Sequence, residues 1–106
     1  MRIILTTTPP DDGPKLARTL LEERLIACCN LVPAVTSMYW WQGEITTDGE
    51  SLLVIKTAAE RVEAVMDRIR ELHPYEVPEI VVLPVETAFE GYAAWVRESC
   101  RATLED

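Results

Sequence analysis

The stretch CCNLVPAVTSMYWWQGEITTDGESLLVIKT, residues 28 to 57, decides the fold. Cys28 to Trp41 reads as one long extended run rich in β-branched and aromatic residues. Gln42-Gly43 is a two-residue turn in which glycine supplies a positive φ. Glu44 to Thr57 returns as the partner strand, and its LLVI at 52 to 55 is apolar on both faces, as a central strand is. Asn30 and Pro33 are expected as bulge or edge positions, and Asp48-Gly49 as a second bulge.

Working outward, residues 2 to 8, RIILTTT, form a first strand that stops at Pro9-Pro10 and the Asp11-Asp12-Gly13-Pro14 turn. From about Pro14 to near Arg24, Leu16, Ala17, Leu20 and Leu21 recur at helical spacing, with Asp11 or Asp12 placed to cap the start. Glu60 to Leu72 is the clearest helix: Val62, Val65, Met66, Ile69 and Leu72 make one apolar stripe among charges. His73 precedes Pro74, which disfavours helical backbone and ends the helix there. Glu79 to Val85 reads as the last core strand. Thr87 is placed to cap a final helix from about Ala88 to Ala102, whose Phe89, Tyr92, Val96 and Cys100 share a face. The order β-α-β-β-α-β plus a helix is that of a ferredoxin-like α+β sandwich with a long β2-β3 hairpin. Residues 1 to 106 make a single domain, a size that buries roughly 65% of its unfolded surface.

Eighteen acidic against ten basic side chains give a formal charge of −8, which repels phosphate backbones and anionic membranes. Nucleic acid and membrane partners are therefore not expected. No signal-like start or 18-residue apolar run is present, and three cysteines, an odd number, suit reduced packing thiols. The expected location is cytoplasmic. Fourteen extended residues from Cys28 to Trp41 span roughly 46 Å, whereas a compact domain of this size is roughly 34 Å across. The hairpin should overhang, and its SMYWWQG tip, left in water, would be an apolar patch. A homo-oligomer that buries this tip follows; the other possibility is a hairpin curled back over its own sheet.

HPYEVPEI, residues 73 to 80, holds the chain's one histidine. If residues 73 to 76 turn about Pro74, His73 and Glu76 approach within about 7 Å at the backbone and could share an ion, with Glu79 or another subunit as third ligand. If the segment is extended they lie roughly 10 Å apart, and His73 simply closes the helix. Thr6 to Thr8 at a strand end could line a small-ligand pocket, and Lys56 could meet an anion or carboxylate; both also fit solvated strand ends. No serine or cysteine is linked to a histidine base, and no glycine-rich nucleotide loop is present, so no catalytic residue is assigned.

The runs ACCNLVP (27 to 33), SMYWWQGEI (37 to 45), IKT (55 to 57), HPYEVPEIVVLPV (73 to 85) and YAAWV (92 to 96) resemble CutA, the divalent-cation tolerance family. The resemblance covers almost the whole chain. It implies a PII-like homotrimer held through the long hairpin strands, not an enzyme, linked to tolerance of copper and other divalent metals. Members proposed to bind copper carry a first-strand cysteine and two tandem histidines before PY. Thr6 and Leu72 stand at two of those positions and His73 at the third, so any copper or zinc is expected to bind weakly, through His73 and nearby carboxylates such as Glu76, with no tightly bound cofactor. The alternatives are a PII-like regulator binding a small anion or nucleotide between subunits through Lys56 and Thr6 to Thr8, and a structural trimer that recruits a protein partner.

Overall fold

The long hairpin forms because both of its strands are rich in residues that pack on a pleated surface, and because its turn tolerates a left-handed backbone. In a computed structural model that describes residues 1 to 101, Gln42 and Gly43 both have positive φ, 51° and 82°, joining β2 (Cys28–Trp41) to β3 (Glu44–Thr57). The remaining elements are β1 (Arg2–Thr8), α1 (Asp12–Glu22), α2 (Val62–Leu72), entered through a short 3-10 turn at Ala59–Arg61, β4 (Val81–Pro84) and α3 (Glu90–Ser99). The four strands are antiparallel in the order β2-β3-β1-β4, the ferredoxin-like arrangement.

Strand alternation divides the sheet into two faces. Ile4, Leu53 and Ile55 point to one side, where they pack with Leu16, Leu20, Val65 and Ile69 of α1 and α2 as the main core. A smaller cluster of Ala27, Ala58, Val96 and Cys100 ties α3 to the sheet end. The opposite face, carrying Ile3, Leu5, Val54, Val81 and Leu83, is met among the described residues only at its edge, where Tyr92 of α3 reaches Cys28, and stays partly exposed.

Several expectations are corrected here. The bulge lies where register shifts between Val32 and Val35, around Pro33, whose missing N–H cannot join a ladder. Asn30 pairs regularly with Val54 and so is no bulge but holds the edge position also expected of it, on the outermost strand β2, whereas Asp48 and Gly49 pair regularly with Ser37 and Thr36 and form no bulge. The first helix starts at Asp12 rather than Pro14 and carries no side-chain cap, because Asp11 is already helical (φ −82°, ψ −14°) and its carboxylate does not reach back. It ends before Arg24, whose φ of 61° is left-handed. The last helix starts at Glu90, without Thr87 as cap, and the expected end near Ala102 lies outside the described residues. Phe89, extended at φ −58° and ψ 125°, leaves the apolar face and is 83% exposed, while Val96 and Cys100 stay buried.

The shortening of the last strand from the expected 79–85 to Val81–Pro84 has a local cause. Continuing the register Leu5↔Val81 would bring Glu79 opposite Thr7. The Thr7 carbonyl instead accepts from His73 Nε2 at 2.7 Å, and Pro78 has no N–H to offer the ladder. The residues after α2 are thereby held off the sheet edge, and a groove opens between them and the hairpin. No helix of the described residues is long and apolar enough to cross a membrane.

Candidate binding groove

His73 sits where α2 must stop. Its backbone is extended (φ −75°, ψ 137°) because Pro74 follows, and its N–H still closes the helix by donating to the Ile69 carbonyl at 2.8 Å. Both ring nitrogens are engaged. Nδ1 accepts from the Tyr75 N–H at 3.1 Å, so the proton resides on Nε2, which donates to Thr7. The ring is buried and packs at 4.8 Å against the tilted Tyr75 ring. It borders a small cleft of about 130 Å³ with Thr8, Asp12 and Lys15.

That pair of backbone bonds fixes the turn and aims Tyr75 the other way. Its hydroxyl donates to Glu50 Oε2 at 2.9 Å, while Ser37 donates to Glu50 Oε1 at 2.6 Å. Burial, then the bond to Glu50, pushes the Tyr75 phenol up to about 12. Glu50 itself is only 6% exposed. Around it lies a groove of about 710 Å³, walled by Tyr39, Trp41 and Val77, with Glu76 and Glu79 at its sides and Thr7 in its lining. Thr7 Oγ1 donates to Glu79 at 3.4 Å, and Tyr39 donates to Asp48.

The structure therefore separates several residues that the sequence grouped. Glu76 and Glu79 share the large groove, whereas His73 lines the small cleft behind it. Among the described residues no three His, Cys, Asp or Glu side chains converge as a metal cage. Thr6 faces the core, fully buried with its hydroxyl unpartnered; Thr7 reaches the groove and Thr8 the cleft. Lys56 lies on the face opposite the main core, bonded to Asn30 across the strand pair. The sequence reading passed over Glu50, Ser37 and Tyr75. The available signal was an acidic residue directly ahead of an apolar strand segment, where β3 goes from exposed to buried.

The fold and the groove define a ferredoxin-like α+β domain with an overhanging hairpin and an acidic, aromatic-walled groove beside its sheet. The CutA1 divalent ion tolerance family matches residues 2–99, and the chain belongs to that family. The divalent-cation tolerance protein CutA of Thermus thermophilus is 44% identical over 98 residues, which are 92% of this chain and 95% of that protein. Human protein CutA is 48% identical over 84 residues, 79% of this chain and 47% of the human protein. The chain thus spans about half the length of the human relative. Among solved structures, the PII-like protein CutA from a Nostoc species superimposes with a TM-score of 0.92 at 39% identity, covering 97% of this chain and all of that one. CutA from Pyrococcus horikoshii gives 0.90 at 42% identity, covering 93% and 98%.

Proposed function

We propose that the protein is a non-catalytic, PII-like homotrimer that acts in the cytoplasm in divalent-cation tolerance, contacting copper or zinc weakly rather than holding it as a resident cofactor. The acid-lined groove is the observation that carries this reading: Glu50, Glu76 and Glu79 face it and, among the described residues, no basic side chain lines it, in a chain with a net charge of −8. Glu76 and Glu79 offer oxygen ligands. His73, which lines the small cleft behind the groove, becomes a third only by leaving that cleft and giving up its bond from the Tyr75 N–H, a cost in keeping with weak affinity. The absence of catalysis is supported by the hydroxyl of Ser37, which is bound to Glu50 while both nitrogens of His73 are tied to the backbone.

Titration calorimetry with copper and with zinc tests the reading. Wild type is expected to bind either ion weakly, with Glu76→Gln and His73→Ala each reducing the heat; three identical isotherms would remove the site. The trimer is supported by the partly exposed sheet face and the exposed hairpin tip, and its mass is read by light scattering.

A second reading keeps the PII-like neighbour as its support: a regulator that binds a small anion or nucleotide between subunits. Lys56 and Thr6 to Thr8 would be its contacts, although within one subunit they lie on different faces. A thermal-shift screen of nucleotides discriminates, since a ligand at a hundred times its dissociation constant adds about 2.7 kcal/mol.

A further inference from the structure

Glu50 is a buried carboxylate with no countercharge among the described residues. Its two oxygens are met by the neutral hydroxyls of Ser37 and Tyr75. The ion pairs of the described residues join arginines to glutamates on and around the helices, and Glu50 takes part in none of them. A carboxylate removed from water is costly unless a cation stands near it.

The groove beside Glu50 has room for such a cation, and its walls say which kind. Glu76 and Glu79 add negative charge, while Tyr39, Trp41 and Tyr75 present aromatic rings. Aromatic faces attract ammonium and guanidinium groups, and most so where water is excluded. They also cover an apolar stem, which a bare divalent ion lacks.

We propose that this groove binds an alkylammonium or guanidinium group, with the charge beside Glu50 and the stem against Tyr39, Trp41 and Tyr75. The proposal concerns the same groove as the divalent-cation reading and goes beyond it by naming an organic cation as a further occupant. Two sources carry this chemistry: a free amine, or a lysine or arginine of a second copy of the chain.

Calorimetry of the full chain with 1,4-diaminobutane and butylammonium, against butyrate and zinc in separate titrations, tests it alongside the subunit dissociation constant. For a free amine, both amines bind and butyrate does not. Trp41→Ala and Glu50→Gln each weaken binding by about tenfold, while Phe89→Ala, just ahead of the last helix and outside the groove lining, leaves it unchanged. For a side chain of a second copy, the amines are silent in wild type. Trp41→Ala and Glu50→Gln then raise the dissociation constant by about tenfold, and Phe89→Ala does not. Silent amines together with unchanged dissociation overturn the proposal, as does amine binding that survives both groove substitutions. A flat zinc titration beside bound amine removes the metal reading alone. Zinc binding lost in Glu76→Gln, with silent amines and unchanged dissociation, removes this proposal and leaves that one.

Discussion

Thr6→Val replaces a fully buried hydroxyl that has no hydrogen-bond partner with a methyl of nearly the same shape. An unsatisfied buried polar group is destabilising, so the substitution is expected to raise stability by about 1 kcal/mol, read from urea midpoints. Tyr75 sets an alkaline limit. Burial and its bond to Glu50 hold its proton up to about 12 against an ordinary 10.0. A raised folded value means the contribution is complete below pH 10 and lost as pH climbs towards about 12. Cys29, pushed from 9.0 up to about 11 by burial and then by Cys28, adds an earlier loss of the same sign. Unfolding midpoints measured from about pH 8 to about pH 12 should therefore fall, and Tyr75→Phe should lessen the later part of the decline, to which Tyr39 and Tyr92, also held above their ordinary value, contribute, while leaving the earlier part. His73 shows where a sequence stops being legible. Pro74 alone announces the helix end, but the nitrogens' partners depend on Thr7, 66 positions away, and no local pattern reveals that pairing.

The turn at Gln42-Gly43 takes positive φ at both residues, and at Gly43 the value of 82° is one that side chains rarely adopt. Gly43→Ala meets no neighbouring atom, so its cost is backbone strain alone, about 1 kcal/mol. A drop in thermal midpoint with unchanged secondary structure checks it. This turn, the long strands beside it and the α2 stripe were readable because each is encoded by contiguous residues with a clear period. Elements whose limits depend on distant partners were not. The last strand is cut short by a carbonyl already taken, and the last helix starts two residues late because Phe89 is extended and Thr87 makes no cap. The groove was invisible for the same reason, since Glu50, Tyr75 and Trp41 belong to three segments.

At the scale of the molecule, the extents of 50 × 29 × 21 Å record the overhang anticipated from strand length. Trp40 is 72% exposed and Ile45 64%, and the two are paired across the tip. In water this is an unstable arrangement, which favours a covering copy. Trp40→Asp is expected to shift the assembly to a smaller mass at micromolar concentration, measured by light scattering after size exclusion; an unchanged mass would place the contact elsewhere. The family and the architecture were legible together, because the HPYEVPEI run and the long hairpin belong to one fold. The hairpin also orders events in time. Its pairings are nested about Gln42-Gly43, so each new pair closes only a short additional loop, whereas joining β1 to the segment after α2 closes a loop of some sixty residues. Zipping from the turn should therefore precede the rest of the sheet. A newly made chain then carries its finished tryptophan tip before the rest of the sheet is complete, and on the proposed trimer the rate of encounter between copies sets how long that tip is vulnerable to aggregation.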